Sequence, residues 1–234
     1  MKNHNPFRYF KTSPVIIRLA VMAHVRFPLS LRNVRDLLHE RGIDICHETV
    51  RFWWNRFGPM FAREIRNRRV HNHAYSNWRW HLDEVFVKIN GETHYLWRVV
   101  GHEGEVLEFF LTKRHDRESA LAFLKKAMKR YGPPKVIVTD RLRSYRAAMD
   151  QLGNERRQET SRWLNNRGEY SHLPFRRREY AMQRFRREKT LQKLVSAHSA
   201  ICNHFNQERH LISRDDFKGR REVALVEWQQ VSAP

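Results

Sequence analysis

The apolar positions fall into two regimes along the chain. From Pro14 they recur with a helical period: Val15, Ile16, Leu19, Ala20 and Ala23 share one predicted face, with Pro14 in the first turn and Phe27-Pro28 closing the element. Ser30 is placed to cap a second helix with Leu31, Val34, Leu37 and Leu38 as its stripe and Gly42 just past its end. A third helix follows Cys46 and buries Val50, Trp53, Trp54 and Phe57, leaving Thr49, Arg51, Asn55 and Arg56 on its polar side. Residues 63–77 lose this periodicity and read as a basic linker containing His71 and His73, which have no Cys or further His at zinc-finger spacing.

From Trp78 the period switches to two. A strand runs to Asn90-Gly91, a type I′ hairpin signal, and a second strand covers Thr93 to Val100. The loop from Gly101 to Gly104 leads to a third, Glu105 to Thr112. Asp116 is placed to cap a helix with Leu121, Leu124, Met128 and Tyr131 on one face, stopped by Gly132-Pro133-Pro134. Lys135 to Asp140 then forms a short, fully apolar strand of the parallel-sheet kind ending on an acid. The remainder is mostly helical: Arg143 to Leu152, a polar connection over 153–162, a region carrying Glu169 and Arg176-Arg177-Arg178, and a last long helix from Thr190. The tail from residue 208 has helical content only around Val223 to Trp228. The predicted class is α/β, a mixed βββαβ sheet with helices, preceded by an all-α domain. The expected divisions are an extension over 1–13, a helical domain over 14–62, the linker over 63–77, the sheet domain over 78–207 and a tail over 208–234.

Charge changes the picture. The 234 residues carry 45 Lys and Arg against 25 Asp and Glu, a net +20 dominated by arginine. Such a balance favours a polyanion, and nucleic acid best, because guanidinium groups pair bidentately with phosphate and neutralising phosphates releases counterions. A hydrophobic share of 41% is enough for a packed core. Cys46 and Cys202 are isolated and make no disulfide framework, which suits a reducing cytoplasm. No leader-like apolar stretch and no run of about 18 apolar residues is present, so the expectation is a cytoplasmic, nucleoid-associated protein without a membrane partner.

Three short amphipathic helices, the last two joined by a tight turn, fit a helix-turn-helix whose third helix enters the major groove with Thr49, Arg51, Asn55 and Arg56. They also fit a plain helical bundle. Against this basic background an acid inside the first strand, Asp83, is costly unless paired, protonated or holding a metal. Asp140 ends a strand predicted to neighbour it, near the point where strand order reverses. With Glu169 on a following helix the three form a set of hard oxygen donors suited to two Mg²⁺ ions, or Mn²⁺. Each has a plainer reading. Asp140 could cap the next helix, Glu169 could close a capping box with Asn166, and Glu84 points to the other sheet face.

Taken together these residues resemble the DDE transposases of bacterial insertion sequences, in particular the insertion-sequence-six group. The resemblance is carried by Trp80-His81-Leu82-Asp83-Glu84, by Thr139-Asp140-Arg141-Leu142-Arg143-Ser144-Tyr145, and by Asn165-Asn166-Arg167-Gly168-Glu169 with Arg176-Arg177-Arg178-Glu179. It extends from the helices around Ser30 to Phe57 through Asn203-His204-Phe205-Asn206. It implies an RNase H-like catalytic domain whose Asp83, Asp140 and Glu169 bind the metals. It also implies binding to terminal inverted repeats, cleavage at the element ends and joining of 3′-hydroxyls to target DNA, commonly by a replicative route, with a homodimer or larger assembly holding two ends. Arg176 and Arg177 are the expected phosphate contacts beside the site, Arg176 standing where a Lys is usual, and Gly101 stands where relatives often have Asp. The competing functions are a non-catalytic helix-turn-helix regulator and an RNase H-like nuclease without strand transfer.

Overall fold

The computed structural model describes residues 5–27, 29–70, 79–140, 142–160, 164–182, 185–206 and 212–231, with the side chains of Arg69, Val70, Arg167, Glu169, Tyr170 and Met182 outside the description. His71 and His73 lie outside the described residues. The chain forms two compact units, one of residues 1–69, 177–183 and 196–234, the other of residues 70–176 and 184–195.

In the first unit, α1 (Pro14–Arg26) starts at Ser13, whose hydroxyl accepts the Val15 N–H, with Pro14 in the first turn. Its buried face is Ile17, Arg18, Ala20, Val21, His24 and Val25, whereas Val15 and Leu19 are exposed, so the predicted stripe is rotated. The reason is tertiary. Arg18 donates to the Val231 carbonyl at 2.7 Å and lies over the Phe7 ring, and polar side chains so engaged are invisible to a periodicity of apolar residues. Helix α2 (Leu31–His39) has the expected Ser30 cap, closed into a capping box by Asn33. Helix α3 (His47–Val70) corrects the linker prediction: residues 63–70 are helical. Phe57, Phe61 and Ile65 continue its buried stripe, and Arg66 donates to the Ser196 carbonyl at 2.9 Å. The tail also becomes structure, as α9 (Arg214–Gln229), with Trp228 packed edge-on to Phe61 at 5.5 Å.

Arg178 and His24 are buried together in this unit. Arg178 lies 2.8 Å from His24 Nε2 and also donates to the Leu29 carbonyl. Burial, and then the Arg178 charge, push the His24 pKa down to about 3, so the ring is a neutral acceptor. A histidine depressed in the folded state stabilises fully above its unfolded value of about 6.5 and loses that contribution as pH falls toward about 3, because the unfolded chain then binds the extra proton. Urea unfolding at pH 6.5 and pH 5 should therefore show His24→Gln losing less stability than the wild type, by about 1.6 kcal/mol, the slope rising to about 1.4 kcal/mol per pH unit below the unfolded pKa. Parallel losses in the two proteins would show that His24 is not buried neutral.

The second unit is built on a five-stranded mixed sheet in the order β3-β2-β1-β4-β5. Strands β1 (Arg79–Ile89) and β2 (Glu92–Gly101) form an antiparallel hairpin around Asn90 (φ 51°) and Gly91 (φ 88°), both in the left-handed region a type I′ turn needs. Strand β3 (Val106–Thr112) continues the meander. Helix α4 (Arg117–Tyr131), capped by Asp116, returns the chain to β4 (Val136–Thr139), which pairs parallel to β1. The deepest side chains of α4 are Ala120, Phe123, Leu124 and Ala127, while Leu121, Met128 and Tyr131 pack at its margin. Helix α5 (Arg143–Gln151) follows, and a short strand β5 (Gln158–Thr160) pairs parallel to β4 where the sequence reads as a polar connection. Its side chains carry no apolar alternation because polar contacts hold it beside the backbone pairing: Gln158 donates to the Thr139 hydroxyl at 2.8 Å and Glu159 pairs with Arg79. Helices α6 (Asn166–Ser171), α7 (Leu173–Met182) and α8 (Glu188–Phe205) complete the order. One sheet face carries the core of Trp80, Leu82, Trp97, Phe123, Leu124, Tyr145 and Met149. The arrangement is the mixed βββαβ sheet with helices expected from the element order.

Candidate active site

Strands β1 and β4 are where the sheet order turns back on itself, the place at which α/β sheets gather ligands. Their parallel register runs Arg79↔Val136, Trp80↔Ile137, His81↔Val138, and continued by two residues it sets Asp83 level with Asp140. The charges of the two acids interact. Partial desolvation pushes Asp140 above the ordinary carboxylate value; the Leu142 amide, donating to its Oδ1 at 3.1 Å, pulls it down, and Asp83 pushes it up. The Asp140 carboxylate thus braces the approach to α5 while facing the acid on the next strand; Leu142, not Asp140, precedes the first helical residue.

Asp83 is half-buried and accepts from His172 Nδ1 at 3.1 Å. Directly across the hairpin, Arg98 is paired with it in register and is 3% exposed. Arg98 donates to the Ser171 carbonyl at 2.9 Å, at the end of α6. At the start of α6, Asn165 donates to the Leu82 carbonyl at 2.8 Å. Between them Gly168 lies so close to β1 that an added Cβ would stand 3.3 Å from Asp83 Cβ and 2.9 Å from Asn165 Oδ1. The residue after Gly168 is Glu169, whose backbone belongs to α6 and whose side chain lies outside the description.

Glu84 faces the helices on the opposite side, as expected. Tyr145 donates to its Oε2 at 2.9 Å, and His115 Nε2 lies 3.2 Å from its Oε1. Burial first, then the Asp140 and Asp83 charges, push Glu84 up to about 7, against the Tyr145 hydrogen bond. The His115 ring lies flat on Tyr95, with centroids 4.6 Å apart, and its burial holds its pKa down.

Burial first, and then the charges of neighbouring acids, raise Glu84 and Asp140, so negative charge is crowded onto oxygen donors, the environment a hard divalent cation fits. Among the described residues no three His, Cys, Asp or Glu side chains are grouped so that they could hold a metal ion.

The predicted DNA-binding residues divide. Arg51, Asn55 and Arg56 are exposed on α3, with Arg51 ion-paired to Glu48 at 3.1 Å. Arg56 lies over the Phe10 and Phe57 rings, and Thr49 is half-buried against Cys46. Arg176 and Glu169 stand on separate helices: α6 stops at Ser171 and α7 starts at Leu173, with Pro174 in its first turn. Arg176 is half-buried and Arg177 exposed on α7.

Arg98, His172 and His115 were not singled out by sequence, and Tyr145 and Asn165 stood in the motif blocks without an assigned role. Arg98 had a further usable signal, since a two-residue turn at Asn90-Gly91 fixes the register that puts it opposite Asp83.

A family profile described as the DDE domain, of the IS240 type, matches residues 77–208. The chain is 30% identical over 227 residues to a transposase for the insertion sequence-like element IS431mec of Staphylococcus aureus, covering 95% of this chain and 98% of that protein. It is 29% identical, with the same coverage, to the transposase for insertion sequence element IS257 in transposon Tn4003 of Staphylococcus aureus. Among solved structures, the magnesium complex of the HTLV-2 integrase catalytic core domain in its dimeric form is similar at 15% identity and a TM-score of 0.43, over 58% of this chain and 91% of that one. No helix among the described residues is long and apolar enough to cross a membrane.

Proposed function

The chain belongs to the DDE transposases of bacterial insertion sequences, polynucleotidyl transferases that act on DNA, and from that premise we propose the division of labour among its residues. Asp83, Asp140 and Glu169 are the metal-holding acids, and the reaction is cleavage at terminal inverted repeats followed by joining of 3′-hydroxyl ends to target DNA. The observation that carries this reading is the parallel β1–β4 register, which continued by two residues brings Asp83 level with Asp140, with the backbone of α6 packed on Asp83. Two Mg²⁺ ions held there would activate the attacking oxygen and stabilise the leaving oxygen of an in-line displacement at phosphorus. The protein's own part is to fix the acids. Strand pairing sets Asp83 and Asp140, His172 orients one oxygen of Asp83, and the Leu142 amide orients Asp140.

The first unit supplies the DNA reader in this proposal. Helices α1 to α3 act as a helix-turn-helix, with Arg51, Asn55 and Arg56 directed to the major groove and Thr49 fixing the start of α3 through Cys46. Arg176 and Arg177 contact phosphate. An element has two ends to be joined, so a dimer or larger assembly brings them together.

The test is an assay with purified protein, Mg²⁺ and a labelled duplex ending in the element's terminal repeat. End-joined products that require a divalent metal are expected, and hydrolysis without joining would make the protein a nuclease. In the same preparation Arg51→Ala and Asn55→Ala should weaken terminal-repeat binding by about 1–3 kcal/mol more than random-duplex binding. Equal losses on both duplexes would reduce α3 to phosphate contact.

A further inference from the structure

We propose that Arg98 and Asn165 are positioning residues that clasp α6 at its two ends and thereby set where the third acid of the site stands. The inference rests on the assignment of Glu169 to the site.

Helix α6 has six residues, too few to hold its own shape or place by propensity. Its position must come from what grips it. The start is gripped by Asn165, 3% exposed, which donates to the carbonyl of Leu82, the residue before Asp83. The end is gripped by Arg98, whose guanidinium donates to Ser171, one of the carbonyls a helix leaves without an internal partner. A cation at that end also opposes the partial negative charge of the helix terminus. His172, the next residue, reaches Asp83 itself. Every one of these bonds runs to β1 or β2 within one residue of Asp83 or of its cross-strand partner, so the helix carrying Glu169 is referenced to the first acid.

Arginine suits this place for a second reason. Burying a guanidinium is expensive, and burial beside carboxylates is where the cost is offset. Arg98 is buried and stands opposite Asp83 in the β1–β2 register, and it fixes geometry without being a ligand. Lysine would keep the charge but lose the planar fork that holds direction.

The experiment compares Arg98→Gln, Arg98→Lys and Asn165→Ala with the wild type in two measurements. The first is hydrogen–deuterium exchange of the metal-free protein. The second is strand transfer as a function of DNA and Mg²⁺ concentration. Exchange over 166–171 is expected to accelerate in Arg98→Gln and Asn165→Ala while the β1–β2 amides keep their protection. In both variants kcat should fall about 10- to 100-fold with KM for DNA changed less than about twofold, as for residues that orient ligands from behind. Arg98→Lys should recover part of kcat. Asn165→Ala removes no charge, so it carries the test if Arg98→Gln fails to fold. Unchanged exchange over α6 in Asn165→Ala would overturn the clasp. Accelerated exchange with undiminished kcat would overturn it equally, and would also remove Glu169 from the chemistry, whereas loss of Mg²⁺ dependence in the wild type would sink the site assignment alone.

Discussion

Asp83→Asn should abolish strand transfer, by on the order of 10³-fold or more, while leaving terminal-repeat binding in place. The substitution is nearly isosteric, and the asparagine still reaches His172, so the strand and its hairpin have no reason to move. What disappears is one negative charge at the point where β1 and β4 come level. An amide is a poor ligand for a hard divalent cation, and the charge that neutralised it is gone. Burial raises Asp140 and Glu84 most, and the Asp83 charge adds to it, so both should shift downward in the variant while the burial contribution stays. Binding to DNA belongs to the basic α3 face in the proposed division of labour, and removing an acid can only reduce repulsion of phosphate. Strand transfer measured on a labelled terminal-repeat duplex, beside a binding titration, separates the two effects. Activity retained in Asp83→Asn would remove the metal-site reading altogether.

Gly168→Ala should lower strand transfer by about 100-fold, the cost of misplacing a reacting group by roughly an ångström. On helix propensity alone the substitution should stabilise α6 by about 1 kcal/mol. The packing opposes this. A methyl group at 168 would meet Asn165 Oδ1 at 2.9 Å and Asp83 Cβ at 3.3 Å, so α6 must lift from β1 or Asn165 must swing off the Leu82 carbonyl. Either movement carries Glu169 away from Asp83. No left-handed backbone is involved at Gly168, so strain of that kind does not confuse the result. Thermal unfolding beside the activity assay decides it. A variant that is both more stable and fully active would show that α6 does not need its close seat on β1.

Much of the catalytic unit was legible because its signals are local. A period of two with Asn90-Gly91 between the runs specifies a hairpin and its register, and an apolar run after a Gly-Pro-Pro stop specifies a parallel strand. From those two facts the neighbourhood of Asp83 and Asp140 follows, and the resemblance to insertion-sequence transposases rests on the same blocks. The misreadings share one cause, which is that the missing partner lay far away in sequence. Residues 63–70 lost apolar periodicity yet stay helical, since Phe61 and Ile65 are buried and Arg66 finds Ser196. The α1 face was rotated because Arg18 and His24 are buried on Val231 and Arg178.

The sequence by itself determined the order of elements from β1 to α5, the hairpin register and the two aspartates on neighbouring strands, all consequences of spacing along the backbone. Only the tertiary structure decided what surrounds the acids. That β5 pairs beside β4, that Pro174 opens a separate helix, and that Arg98, Asn165 and His172 converge around α6 depend on contacts between segments distant in the chain. Such contacts leave no period to read, because a buried polar side chain is placed by its partner.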